Sequence, residues 1–280
     1  MLIGHNKQKK YFQNLIKNEA LSHAYLFSGP EMIGKKTFAL DIYKLLNGRE
    51  SDNDPDFKFI APKVSEDEHK IYIEDIRALK SFFSFKPYAG PYKVAVIDDA
   101  HTLTPEAGNA LLKLLEEPPS FSMIILVSSL PGLLPATLVS RCEEVRFIPA
   151  STKEIEEHLL TYKKISREDK DFVVKLAGGR IGFINELVVG KDLDDAKKAI
   201  DDLRKLLKGG IFERMDYAKK SFEKESYSQL VNYWTHWVSA HLKTSPKNEK
   251  IVKDLLILSD LISQPQFNHR LALENFLLNL

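Results

Sequence analysis

Cysteine is almost absent from this chain of 280 residues, since Cys142 is the only one. A disulfide within the chain is therefore impossible, and a zinc site built mainly from cysteine is excluded. Such sparing use of cysteine is typical of proteins that fold and work in a reducing compartment.

The sequence also lacks a dominant charge of one sign and a long apolar run. Lys plus Arg number 40 and Asp plus Glu 39, which leaves a formal net charge of +1. This balance argues against a wholly basic nucleic-acid coat protein. No segment approaches the roughly 20 consecutive apolar residues that cross a bilayer. With 44% hydrophobic and 28% charged residues, we expect a soluble, cytoplasmic, globular protein of two or three domains.

About residues 1–149 alternate short apolar runs with helical patterns. The runs predict strands at Ala24–Ser28, Val94–Ile97 and Met123–Val127. A helix is predicted over Thr104–Glu117, with Thr104 as its cap and Pro105 at its first position. This alternation indicates an α/β domain whose parallel sheet has helices on both faces. The polar segment Asn53–Lys70 is expected to be an irregular connection.

From Ser151 onward no parallel-strand run occurs, and apolar residues recur at helical spacing. Gly190 and the charged residues after it indicate a linker, which divides this part into 150–190 and 191–280. Tyr233, Trp234 and Trp237 share one amphipathic stretch, and their spacing leaves a core role and an interface role equally open.

A phosphate-loop motif follows the first predicted strand. Residues 29–35, GPEMIGK, supply most of the pattern G-x-x-x-x-G-K-[ST], with Gly29, Gly34 and Lys35 at its fixed positions. In such loops backbone N–H groups surround phosphate oxygens and the lysine reaches the outer phosphates. The next residue is Lys36 rather than the hydroxyl residue that binds Mg²⁺, and Thr37 lies about 100° further round the helix. Two interpretations therefore remain: the loop binds nucleotide, or it is vestigial.

Two further polar groups follow the predicted strands, and an arginine follows a later bend. Asp98-Asp99 ends the second strand, where carboxylates can orient magnesium and activate water, although acidic turn residues are also common there. Ser129 follows the third strand, where its hydroxyl could contact a terminal phosphate or simply end the strand. Arg141 follows a proline-rich bend and could stabilise a transferring phosphoryl group of a neighbour, but an isolated arginine there is usually solvated.

Read together, the segments NALLKLLEEPP (residues 109–119) and LLPATLVSRC (residues 133–142) resemble the clamp-loader branch of the AAA+ ATPases. Within that branch the chain looks most like the delta-prime type of subunit in bacterial DNA polymerase III clamp loaders. The resemblance implies an ATPase-like domain over 1–149, a helical lid over 150–190 and an oligomerisation collar over 191–280. It also implies a five-membered ring with gamma/tau-type motor subunits and a delta-type subunit, acting on a sliding clamp and primer–template DNA.

The resemblance assigns Arg141 as an arginine finger supplied to a neighbouring subunit, and Cys142 as a packing residue. The chain departs from the motor pattern at Lys36, at Asp99 in place of glutamate, and at Ile181, which takes the place of a lid arginine that Arg180 misses by one residue. These departures favour a stator that binds ATP and Mg²⁺ weakly or not at all. The alternative is an active gamma/tau-like motor of the same ring.

Many relatives carry a Cys₄ zinc module, which this chain cannot form with Cys142 alone. Lys80, Lys86 and Lys113 lie around helices that face the DNA channel in relatives, but each is expected to be a solvated surface lysine. We therefore expect DNA binding to be a property of the assembly. A small-molecule kinase would share the phosphate loop but gives no reason for NALLKLLEEPP or for the long helical C-terminus.

Overall fold

The computed structural model describes residues 3–64, 69–162, 165–190, 192–223, 227–241, 247–264 and 267–280. They form two compact units, an N-terminal unit, Met1–Ala150, and a C-terminal unit, Ser151–Leu280. The further division of the helical part into a lid and a collar stays a prediction, and residue 191, at its boundary, lies outside the described residues.

The N-terminal unit contains a five-stranded parallel sheet. Its strands are β1 (Ala24–Ser28), β2 (Phe57–Ile60), β5 (Lys93–Ile97), β6 (Ser122–Ser128) and β7 (Glu143–Arg146). They lie in the order β2-β5-β6-β1-β7. Two short strands, β3 (Lys63–Val64) and β4 (His69–Lys70), form a separate antiparallel pair.

The three central strands are buried at every position, because helices cover both faces of the sheet. Successive side chains point to opposite faces, so alternate residues enter two different cores. Leu26 packs in the core that includes Leu111 and Leu115, whereas Phe27 packs in the core that includes Phe12 and Phe38. The predicted α/β fold with both faces covered is confirmed.

Two edge strands differ from the sequence expectation. Phe57–Ile60 pairs in parallel with β5, so the prediction of an irregular connection over Asn53–Lys70 is wrong there. Residues 65–68 of that segment lie outside the described residues. Glu143–Arg146 pairs with β1 and has one buried residue, Val145, so its apolar signal is weak. Edge strands have a less covered surface and tolerate such polar sequences.

The helices of the N-terminal unit are α1 (Asn6–Lys17), α2 (Lys35–Asn47), α3 (Ile73–Phe83), α4 (Pro105–Glu116) and α5 (Ala136–Val139). Two short 3₁₀ turns lie at Ala100–Thr102 and Pro131–Leu133. The predicted start of α4 is confirmed, since the Thr104 hydroxyl accepts a hydrogen bond of 3.3 Å from the Ala107 N–H. Leu111 and Leu115 are buried on its inner face.

The part of the C-terminal unit that the structure describes is helical. Its helices are α6 (Thr152–Leu159), α7 (Arg167–Ala177), α8 (Ile181–Val189), α9 (Leu193–Leu206), α10 (Ile211–Glu223), α11 (Tyr227–His241), α12 (Lys247–Ser263) and α13 (His269–Leu278). Trp234 is fully buried and donates its indole N–H to the Ala199 carbonyl at 2.8 Å. Tyr233 is also buried, whereas Trp237 is half-buried with the Arg204 guanidinium 5.3 Å from its ring centroid. Within this unit Tyr233 and Trp234 are therefore core residues.

Among the described helices, none combines the length and apolarity that a membrane span requires.

Candidate functional site

The carboxyl ends of β5, β6 and β1 lie side by side, because these parallel strands are neighbours in the sheet. The segments that follow them therefore meet at one edge, as ligand-binding segments do in open α/β sheets. They carry the loop Gly29–Lys35, the Asp98-Asp99 pair and the Ser128-Ser129 pair. The structure thus brings most of the predicted site residues together.

The loop itself has the backbone that its two fixed glycines allow. Gly29 has φ +144°, and a Cβ at this position would lie 2.3 Å from the Phe147 carbonyl oxygen. Gly34 has φ 100° and stands immediately before the first residue of α2. A side chain at either position would be strained, so the loop conformation depends on glycine.

The buried Lys35 ammonium is held by the loop from which it projects. Its Nζ donates to the Gly29 carbonyl at 2.6 Å and to the Pro30 carbonyl at 2.5 Å. Burial lowers the pKa of Lys35, and the nearby carboxylates of Glu31, Asp99 and Asp98 partly oppose this effect.

Lys36 lies against the sheet edge rather than extending into solvent. Its Nζ is 3.6 Å from Oδ2 of Asp98 and 4.2 Å from the ring centroid of Phe59 on β2. Half of the Lys36 side chain remains exposed. Thr37, the other candidate for a metal-binding hydroxyl, is an exposed residue of α2.

These residues do not fit the magnesium site of the phosphate-loop motif. The position of the metal-binding hydroxyl carries an ammonium, and that ammonium is already paired with the carboxylate that would orient the metal. Among the residues described by the structure, no group of three or more His, Cys, Asp or Glu side chains is arranged to hold a metal ion. The donor set therefore disagrees with a resident magnesium ion.

Asp99 occupies a strained backbone position, with φ 46°. Its carbonyl oxygen accepts hydrogen bonds of 2.8 Å from both the N–H and the hydroxyl of Thr102, which close the turn after β5. Burial raises the pKa of the Asp99 carboxyl, the neighbouring Asp98 charge raises it further, and His101 opposes the rise. An elevated pKa suits a proton acceptor, but the geometry alone assigns Asp99 no reaction.

Glu31 and His101 also lie at this edge, and neither was predicted from the sequence. The Ser129 hydroxyl donates to Oε1 of Glu31 at 3.2 Å, so it contacts a loop carboxylate. The buried Ser128 hydroxyl lies 3.3 Å from Nδ1 of His101, whose pKa is lowered chiefly by burial. Glu31 could have been found from its place inside the loop, and His101 from its position three residues after Asp98.

Arg141 lies at the opposite edge of the sheet. It follows α5 and lies two residues before β7, and its partner Glu116 ends α4 before β6, so both residues lie near the starts of strands. Nη2 donates to Oε1 of Glu116 at 2.7 Å and Nη1 to the Thr137 carbonyl at 3.0 Å. Its place before β7 separates Arg141 from the phosphate loop, which follows the end of β1. More than a third of its side chain is exposed, which leaves it accessible.

Cys142 packs partly buried against the core below α4 and α5. Burial raises the pKa of its thiol to about 11, which makes it a poor nucleophile at neutral pH.

In the C-terminal unit, the two residues aligned with the lid arginine have different environments. Ile181 is buried at the start of α8. The Arg180 guanidinium lies 2.5 Å from Nδ1 of His236, whose ring stacks on Phe183 with 4.2 Å between centroids. Burial and then the Arg180 charge lower the pKa of His236 to about 4.

Comparison with known families gives a match between residues 4–151 and the family model described as "DNA polymerase III, delta subunit". The tau/gamma subunit of DNA polymerase III from Haemophilus influenzae is 35% identical over 188 residues, which cover 62% of this chain and 27% of that protein. The delta' subunit from Bacillus subtilis is 35% identical over 167 residues, which cover 54% of this chain and 50% of that protein. The matched parts thus span half or less of these relatives.

Among solved structures, a DNA polymerase III gamma subunit-related protein from Thermotoga maritima aligns with 96% of this chain and 97% of its own, at a TM-score of 0.59 and 21% identity. A variant of the Thermotoga maritima RuvB protein aligns with 71% of this chain and 65% of its own, at a TM-score of 0.51 and 19% identity. At these identities the likeness concerns the fold alone.

Proposed function

The chain belongs to the DNA polymerase III delta subunit family, as the clamp-loader resemblance predicted, and we propose that it acts as a delta-prime-like stator of the clamp loader. In this role it helps ATP-dependent loading of the sliding clamp onto primer–template DNA. It supplies Arg141 to the nucleotide of a neighbouring motor subunit and does not itself turn over ATP.

The observation that carries this proposal is the internal pairing of the phosphate-loop residues. Lys35 is bound to the loop carbonyls, Asp98 is paired with Lys36, and Ser129 donates to Glu31. In a motor subunit these groups face the phosphates and the metal. Here each of them has a partner in the same unit, which supports a loop kept for its shape.

The environment of Arg141 supports its role toward a neighbour. An exposed ion pair such as the one with Glu116 contributes only about 0.2–1 kcal/mol. An arginine finger increases phosphoryl transfer by roughly 10³–10⁵-fold. Arg141 can therefore leave Glu116 at little cost in free energy and bind a phosphate held by another subunit. Before that, its ion pair with Glu116 orients the guanidinium.

The proposed partners are gamma/tau-type motor subunits and a delta-type subunit, joined through the helices of residues 191–280, with residues 150–190 as a lid. DNA would be contacted by the ring rather than by this chain alone. Arg77, Lys80 and Lys113 line a groove of about 510 Å³ between α3 and α4, and Glu116 and Glu117 line it too. This mixed charge fits the expectation of solvated surface lysines.

Reconstitution of the ring with an Arg141→Ala chain tests the proposal. We expect normal assembly, a loss of ATP hydrolysis at one motor site and reduced clamp loading. Arg141→Lys should restore little, because lysine lacks the planar fork that binds phosphate through two donors. Arg146→Ala is the matched control, since Arg146 is a more exposed arginine of β7 paired with Glu144. Unchanged hydrolysis and loading with Arg141→Ala would refute the finger role.

The second candidate is an active gamma/tau-like motor subunit. It is favoured by the 35% identity to the Haemophilus influenzae tau/gamma subunit over a longer segment than the delta' match. It predicts that the free chain binds Mg-ATP at micromolar concentration and hydrolyses it. The stator predicts neither.

A further inference from the structure

We propose that the Lys36 ammonium is a built-in cation that takes the place of the divalent metal ion and excludes such ions from Asp98. This inference rests on the proposed stator role and gives that role a chemical cause. It assigns the loss of the metal site to one side chain rather than to a general decay of the loop.

Lys36 and Asp98 hold the two positions that a magnesium ion joins in phosphate-loop proteins. In phosphate-loop proteins Mg²⁺ joins two protein groups, the hydroxyl that follows the loop lysine and the aspartate that ends the neighbouring strand. The Lys36 side chain joins the same two positions in this chain, since it starts after Lys35 and its Nζ lies 3.6 Å from Oδ2 of Asp98. The pair thus replaces a bridge through a metal by a direct salt bridge.

A second contact fixes the direction of the side chain. The Lys36 Nζ lies 4.2 Å from the ring centroid of Phe59, within the range of a cation–π interaction. Phe59 lies on β2, and Asp98 directly follows the adjacent strand β5, in which Val96 pairs with Phe59. Two neighbouring strands therefore hold the ammonium at the sheet edge, although the side chain is only half-buried.

The Lys36 ammonium lies close to the space that a metal ion on Asp98 would need. A magnesium ion bound to a carboxylate lies about 2.0–2.1 Å from its oxygen. Because the Lys36 Nζ is 3.6 Å from Oδ2 of Asp98, a metal on the exposed side of that oxygen would meet the ammonium or its hydration shell. A divalent ion that binds Oδ2 from this side therefore has to displace the Lys36 ammonium.

The charge of Lys36 also balances the carboxylates at this edge of the sheet. The groups facing this edge are the ammonium groups of Lys35 and Lys36, the carboxylates of Glu31, Asp98 and Asp99, and the imidazoles of His69 and His101. Burial lowers the pKa of His101, which favours its neutral form. Loss of the Lys36 charge would leave three carboxylates against one ammonium. These three carboxylates are not arranged as one set of metal ligands, but their net negative charge would attract a divalent cation to Asp98. The positive charge of Lys36 therefore opposes metal binding at this carboxylate.

The test uses the full-length chain and Mn²⁺ alone, followed by electron paramagnetic resonance. We expect no saturable site at Asp98 in the wild-type chain up to millimolar Mn²⁺. Lys36→Thr should create one site with a dissociation constant at least tenfold lower than that of any wild-type binding. Lys36→Met keeps the stem on Phe59 without the charge and should also gain affinity, whereas Lys36→Arg should stay metal-free.

Two controls locate the effect. Adding Asp98→Asn to Lys36→Thr should abolish the new site, and circular dichroism should show each variant folded. The proposal is overturned if the wild-type chain binds Mn²⁺ through Asp98, or if folded Lys36→Thr and Lys36→Met gain no affinity. Failure here would leave the Arg141 experiment on the ring untouched, and failure of that experiment would not alter the metal titration.

Discussion

Asp56 connects a surface loop to the sheet, and its replacement by asparagine should destabilise the N-terminal unit. The fully buried carboxylate accepts hydrogen bonds from the backbone N–H groups of Tyr88, Ala89 and Gly90 at 2.6, 2.9 and 3.2 Å. Arg49 donates to the same carboxylate at 3.2 Å. The Asp56 carbonyl also accepts from the Val94 N–H at 2.9 Å, at the start of β5.

The expected loss of unfolding free energy in Asp56→Asn follows from these contacts. In Asp56→Asn one oxygen can still accept from Tyr88, but an NH₂ group would face the Ala89 and Gly90 donors and the Arg49 guanidinium. A hydrogen bond to a charged group contributes about 1.5–3 kcal/mol. Because Ala89 is exposed and water can replace part of the loss, we expect about 3 kcal/mol less stability.

The pKa of Asp56 determines how its contribution to stability changes with pH. Burial raises the pKa of Asp56, but the hydrogen bonds from Tyr88, Ala89, Gly90 and Arg49 outweigh it and lower the pKa below its ordinary value. A carboxylate with a lowered folded pKa stabilises the protein above the unfolded value of about 3.9, and this stabilisation is lost as the pH falls through the folded value.

Urea unfolding of the wild-type chain and Asp56→Asn, at pH 7 and near pH 3, measures both effects. Asp41→Asn is the matched control, because Asp41 is an exposed carboxylate on α2 of the same unit. The reasoning is refuted if Asp56→Asn costs less than about 0.5 kcal/mol at pH 7, or if the difference from wild type grows on acidification.

Three further predictions concern other parts of the chain. In the same urea assay, Gly29→Ala should cost at least about 2 kcal/mol of unfolding free energy, because its Cβ would lie 2.3 Å from the Phe147 carbonyl oxygen. Gly132→Ala is the control and should be neutral, because the space around Gly132 is open. Trp234→Ala should cost about 3–5 kcal/mol in the C-terminal unit, and a much smaller loss by circular dichroism would contradict its core role. Because the pKa of the Cys142 thiol is about 11, iodoacetamide at pH 8 should alkylate it about 10²-fold more slowly than free cysteine, and rapid labelling of the folded chain would count against its burial.

The central strands and most helices could be predicted because their signals are local. Ala24–Ser28 is a continuous apolar run, and α4 begins with Thr104 and Pro105, as its cap rules require. The edge strands β2 and β7 gave weaker signals, because their residues are mostly polar or half-exposed. Their pairing depends on neighbours that are distant in the sequence.

The candidate site was predictable as a set of positions but not as a set of contacts. The motif located Lys35, Asp98 and Ser129, and parallel topology brings them to one edge. The motif also showed that Lys36 stands where a metal-binding hydroxyl is expected, but it gave no partner for the ammonium. Its contacts with Asp98 and Phe59 depend on the order of β2 and β5, which no local pattern contains. The pairing of Arg141 with Glu116 likewise joins residues 25 positions apart.

The most direct measurement of the central claim is ATP hydrolysis by a ring in which only this chain carries Lys35→Gln. Glutamine keeps a donor for the Gly29 and Pro30 carbonyls, so the loop should retain its shape, while the positive charge that a working site needs is lost. If the chain contributes structure and Arg141 but no turnover, the rate will equal that of the wild-type ring. A clear fall in the rate, with assembly unchanged, would show that this loop hydrolyses ATP and would contradict the account.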